Sequence, residues 1–129
     1  MKPFHIRDYD LLVIGECYME FRCDGDICHC KEYDKDIGGG ELIVAASASR
    51  LGSGVSFVSA IARDPFHSKI RERLLSQGIN IDHVFPSQGY NGIYFTSSRY
   101  PEQREYLIHH PGTAATYITP SMIYDDLIE

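Results

Sequence analysis

Two clusters in the 129-residue chain hold residues whose types and spacing could do chemistry. The first is the triplet Gly38, Gly39, Gly40, which precedes the small-residue run "ELIVAASASRLG". Glycine accepts backbone angles closed to other residues and lets a ligand approach the main chain closely. A glycine-rich strand-to-helix joint can therefore form one wall of a small-molecule site, or it can be a plain flexible turn. It is neither a phosphate-binding loop nor a dinucleotide fingerprint, because no "GK[ST]" and no G-x-G-x-x-G follows. The second cluster is Cys17, Cys23, Cys28 and Cys30 with His29, in "CYMEFRCDGDICHC". Its spacing does not match the paired C-x-x-C of zinc ribbons. A tight hairpin at Gly25 would bring Cys23 to face Cys28, close enough for a metal or a disulfide; otherwise the thiols fill apolar space.

Composition limits the function classes. The formal net charge is -6, from 18 acidic and 12 basic residues, with no lysine or arginine run. Nucleic acid and acidic membranes are disfavoured as partners, since such binding rests on phosphate neutralisation. The start "MKPFHIRDYD" lacks the apolar stretch of a signal peptide, and runs such as "LLVIG" are too short to cross a bilayer. A cytoplasmic location is expected, where cysteines stay reduced.

The elements that must position these clusters follow from periodicity. "DLLVIG" (10–15) and "VSFVSAIA" (55–62) read as buried strands, being short, apolar and bounded by turn residues. Between them, "ECYMEFRC" and "ICHCKEYD" alternate around "DGD" as a hairpin, and 41–51 is a helix stopped by Gly52. "DPFHSKIRERLLSQG" predicts a helix with Asp64 as N-cap and Pro65 as first residue, before a third strand in "INIDHVF". "GIYFTSS" and "REYLIHH" form a second hairpin, and "TPSMIYDDLIE" opens a helix capped by Thr119. The order predicts an α/β fold: a parallel sheet with flanking helices, and two hairpins at about 16–35 and 91–110.

In order and spacing, "DLLVIGE", "GGGELIVAASASRLG" and "VSFVSAIARDPFHSKIRERLLSQGINIDHVF" resemble the N-terminal part of the ribokinase-like, or PfkB-type, carbohydrate kinases. "NGIYFTSSRYPEQREYLIHHPGTAATYITP" resembles the 2-keto-3-deoxygluconate, or sugar-acid, kinase branch. The resemblance implies a three-layer ribokinase-like fold in which both hairpins make a small projecting lid. It implies a sugar or sugar acid as ligand, with a homodimer through the lid or a complementing C-terminal half as protein partners. The implied substrate-binding residues are Glu20, Gly38, Gly39, Gly40, Tyr94 and His110. Glu20 stands where the family carries a sugar-binding Asp, and His110 where sugar-acid kinases carry an arginine. Ile43 replaces a sugar-binding Asn and cannot hydrogen-bond.

The family's "D-T-x-G-A-G-D" string, which supplies the catalytic aspartate and anion hole, does not occur in the chain. ATP and magnesium are thus implied only for a complete family member, and no catalytic residue is expected here. Three functions follow: the sugar-binding N-terminal portion of a kinase that is inactive alone, a stand-alone sugar-binding or dimerisation module, and a metal or redox hairpin on the cysteines. As plain alternatives, Glu20 is a surface acid, and Tyr94 and His110 are ordinary hairpin side chains.

Overall fold

A computed structural model of the chain describes residues 9–97 and 103–123. Seven strands and two α-helices run in the order β1 (Leu11–Ile14), β2 (Tyr18–Cys23), β3 (Asp34–Gly38), α1 (Gly40–Arg50), β4 (Val55–Ala62), α2 (His67–Ser76), β5 (Val84–Ser87), β6 (Ile93–Ser97) and β7 (Tyr106–His109). They make two sheets, β1-β4-β5 and β3-β2-β6-β7.

The first sheet is all parallel, with Leu11 opposite Val55 and Ser59 opposite Val84. Its centre is β4, whose every residue is buried, as expected of a parallel strand covered on both faces. Helix α1 packs on β1 and β4 through Leu42 and Ala45, the latter fully buried. The absence of a larger side chain at Ala45 is what lets helix and sheet come close. The core joins Val13, Phe57 and Ile61 of this sheet to Met19 and Ile37 of the other and to Ile70 and Leu74 of α2.

The second sheet is mixed. Both hairpins are present, but they are joined edge to edge by β2 and β6 running parallel, with Glu20 opposite Tyr94. Met19, Cys23 and Ile37 point into the core. The period-2 alternation then sends Tyr18, Glu20, Arg22 and Tyr94 to the opposite face.

Four local expectations are corrected. The first hairpin returns at Asp34–Gly38, overlapping "ICHCKEYD" only at its last residue. A loop of residues 24–33 intervenes, held by Tyr33 Oη donating to Ile27 O (2.6 Å) and Ile27 N donating to Glu105 Oε2 (2.8 Å). In place of a tight turn, the loop buries Cys23 and brings Cys30 next to it. Cys28 is exposed, and Cys30 places its sulfur against Gly25 instead. Asp64 does not cap α2 directly. Its Oδ1 accepts from Phe66 N (2.9 Å), folding a turn that delays the helix start to His67. The segment after Thr119 is a 3-10 turn at Pro120–Met122, and residues 124–129, where the predicted helix continues, lie outside the described residues.

Candidate functional site

The two sheets meet where β1 ends. Gly15 and Glu16 follow the last residue of β1, at the carboxyl end of the parallel sheet, the usual side for ligands in α/β folds. Gly15 has no side chain because that of Glu41, from the first turn of α1, lies over its Cα. Across this joint, β3 ends at Gly38 and α1 begins at Gly40. Gly39 occupies the N-cap position with φ 121°, a backbone region closed to L side chains. No side chain caps α1; the glycines supply geometry rather than a cap.

On the outward face of the second sheet, Tyr94 Oη rests against the Cα of Gly38, so that a Cβ there would collide with it. The phenol is pushed up to about 12, first by burial and then by the charge of Glu20 beside it. Tyr18 crosses Tyr94 edge-on, with ring centroids 5.9 Å apart. The structure thus brings Glu20, Gly38 and Tyr94 into one patch. Gly39 adjoins it, where a Cβ would lie 3.1 Å from Glu16 O. A Cβ on Gly40 would meet nothing within 4 Å. His110, just past β7, lies beside Tyr18 at a centroid distance of 6.4 Å. Ile43 is 63% exposed on α1.

Sequence reasoning assigned no role to Glu16, yet its carboxylate is the hub of the joint. Oε1 accepts from Tyr18 Oη and pairs with His110 Nε2 at 2.6 Å, while Oε2 accepts from Thr113 Oγ1 at 3.3 Å. The available signal was its place directly after a buried strand and a glycine. Asn91 was also missed. Its Oδ1 accepts from Ala62 N (3.0 Å), and its Nδ2 donates to Ala62 O (3.1 Å) and to Asp64 Oδ1 (2.6 Å). This pins the end of β4 to the root of β6, and nothing in a lone "YNG" betrays it.

Chemically, the patch offers carboxylate acceptors, phenol hydroxyls and aromatic faces, a set suited to a polyhydroxylated ligand. It does not offer an activated nucleophile. Burial, aided by Glu16 and Glu41, pushes the Cys17 thiol up to about 12, and burial and Glu16 likewise raise Tyr18. Groups so raised stay protonated at neutral pH. Among the described residues no three His, Cys, Asp or Glu side chains gather into a metal-holding group.

The chain is similar in sequence and fold to known proteins. A 5-dehydro-2-deoxygluconokinase of Bacillus thuringiensis is 25% identical over 128 residues, covering 95% of this chain and 39% of the relative. A 2-dehydro-3-deoxygluconokinase of Thermoproteus tenax is 26% identical over 123 residues, covering 92% and 38%. An uncharacterized sugar kinase from Pyrococcus horikoshii, solved in complex with ATP, superposes with a TM-score of 0.83 at 25% identity, over 92% of this chain and 39% of that one. The chain therefore spans well under half the length of these relatives. The ribokinase-like α/β fold expected from the sequence is the fold observed. The family model "pfkB family carbohydrate kinase" matches residues 8–128, and the chain belongs to that family.

Proposed function

We propose that this chain is the sugar-binding N-terminal portion of an ATP-dependent carbohydrate kinase whose substrate is a sugar or sugar acid. We propose further that the 129 residues alone do not transfer phosphate. The observation that carries the reading is the patch of Glu20, Gly38 and Tyr94, set beside the carboxyl end of a parallel sheet and built on a positive-φ glycine joint. Glu20, the Gly38 to Gly40 backbone, Tyr94 and His110 contact the ligand. Glu20 accepts hydrogen bonds from sugar hydroxyls, the glycines admit the sugar to the main chain, and Tyr94 packs against the ring. Phosphoryl transfer needs a base, an anion hole and a nucleotide pocket. In this reading ATP and magnesium belong with other parts of a family kinase. We place its action in the cytoplasm; no helix among the described residues is long and apolar enough to cross a membrane.

The test is an ADP-release assay on purified chain with a panel of sugars and sugar acids, run beside ligand-observed NMR. Binding without ADP formation is expected. Turnover of ATP above a mock purification overturns the claim of inactivity, and absence of binding by any ligand overturns the pocket. A second reading, a stand-alone sugar-binding or dimerisation module, is favoured by β7, an edge strand with all of its residues exposed. If the chain binds sugar as a stable dimer and gains no activity with a C-terminal half supplied in trans, that module is the better description.

A further inference from the structure

The loop of residues 24–33 folds back on the end of β2 with two thiols at the point of return. Cys23, the last residue of β2, is 3% exposed, and its Sγ donates to Gly25 O at 3.7 Å. Cys30 comes to the same place: its Sγ would stand 3.0 Å from a Cβ on Gly25, and it lies next to Cys23. We propose that Cys23 and Cys30 form a modification site, a dithiol that exchanges with glutathione disulfide and closes into an intramolecular disulfide, tying the loop to the end of β2. The site is independent of the sugar patch.

Such an exchange needs one sulfur that a reagent can reach and a second beside it. Cys30 is half-buried and lines a surface hollow with Asp24, Asp26, His29 and Lys31, whereas Cys23 is buried. The Cys30 thiolate attacks one sulfur of glutathione disulfide; that S–S bond breaks, a mixed disulfide forms on Cys30, and one glutathione leaves and is protonated. Cys23 then loses its proton and attacks Cys30 Sγ, expelling the second glutathione. The two protein thiols have given two electrons and two protons to one glutathione disulfide, which departs as two thiols. The backbone holds Cys30 in place for the second step: Cys30 N donates to Asp26 O at 3.1 Å, and His29 N donates to Asp26 Oδ1 at 3.0 Å. The Cys30 thiol is pushed up to about 11, first by Cys23 beside it, with Asp26 and Asp24 adding to the effect. Little thiolate is then present at neutral pH, so closure is gradual; the same sulfur is a poor leaving group, so the closed disulfide resists reopening. The loop also reaches the second hairpin, through Ile27 N donating to Glu105 Oε2 at 2.8 Å and Tyr33 crossing Phe95 of β6 at a centroid distance of 5.5 Å. A closed disulfide therefore stiffens this end of the second sheet.

The experiment incubates the reduced full chain with glutathione disulfide, alkylates the remaining thiols and maps the products by mass spectrometry. Cleavage before Asp24 and Asp26 separates Cys23 from Cys28 and Cys30, and tandem spectra show which cysteines carry the alkyl label. The expected product is two hydrogens lighter, with Cys17 and Cys28 labelled and Cys23 joined to Cys30, and dithiothreitol should restore all four thiols. Cys28→Ser should close as fully as the unmodified chain, and Cys30→Ser should not close. Amide exchange across residues 24–33 should slow by at least about tenfold on closure. In urea the preference for Cys30 over Cys28 should disappear, because the fold sets it. A disulfide through Cys28, a glutathione cap that stays on Cys30 without closing, or unchanged loop exchange after closure overturns the inference, as does the same preference in urea. The map of the unmodified chain decides the pairing even where a variant does not fold.

Discussion

At the scale of single residues, the site is built from exclusions as much as contacts. Gly38 has no side chain because the Tyr94 hydroxyl takes that space; even its Cζ would stand only 3.1 Å from an added Cβ. Gly38→Ala should therefore cost about 1–3 kcal/mol, as overpacking does. Tyr94→Phe placed on top should recover part of the loss by removing the colliding oxygen. Urea melts of the two single variants and the double variant read this coupling; additive effects would contradict it. A second prediction concerns Cys17, whose thiol burial raises from 9.0 to about 12. The sign follows from proton counts. Above pH 9 the unfolded thiol loses its proton while the folded one keeps it until about pH 12, so alkali favours unfolding. Stability should fall by up to about 1.4 kcal/mol per pH unit across that window from this group alone. Cys17→Ala, melted over the same range, should show a correspondingly shallower decline; parallel curves would remove Cys17 as the cause.

At the scale of elements, the strands and helices were legible wherever one physical signal dominated. "VSFVSAIA" is apolar and β-branched throughout, and it is the buried central strand. Residues 40–50 carry small and apolar side chains between glycine signals, and they form α1. The failures share a cause. "CDGDIC" has the composition of a tight turn, but the return strand is chosen by pairing: Ile37 must face the core opposite Met19, which puts the strand at Asp34–Gly38 and spools residues 24–33 into a loop. Likewise the parallel union of β2 and β6 is a long-range match that no local pattern encodes. For the candidate site, the glycine joint, Glu20 and Tyr94 are named by the resemblance alone, and the structure gathers Glu20, Gly38 and Tyr94 into one patch. Glu16 and Asn91 act by tertiary hydrogen bonds, and no role for them was read from the sequence. The Asn91 seam can be tested as an element-level hinge. Asn91→Ala leaves the buried Ala62 N–H without its acceptor, a loss of about 1–3 kcal/mol for that group. Hydrogen exchange should quicken in β4 near Ala62 and in β6 before the rest of the core. Uniform acceleration across both sheets would show that the seam is no separate unit.

At the scale of the whole molecule, the balance of buried and exposed apolar surface sets how the isolated chain behaves. The core is continuous across both sheets, so the two should unfold together in one cooperative step. The outside is less complete. α1 turns Ile43 and Val44 to solvent, Leu51 just beyond it is 88% exposed, and Leu75 of α2 and Ile14 of β1 are also uncovered. β1 and β5 each pair on one side alone among the described residues, and β7 does the same in the second sheet. Unpaired strand edges and contiguous apolar patches promote association in water. Sedimentation velocity across a dilution series should then show mass rising with concentration, with bound hydrophobic dye increasing in parallel at low concentration. Ile43→Lys with Val44→Glu should reduce both signals without lowering the melting temperature, because neither side chain is buried. A monomer at every concentration, with no dye bound, would mean that these faces are tolerated as ordinary surface, and it would weaken the proposal that the chain is the sugar-binding portion of a larger kinase.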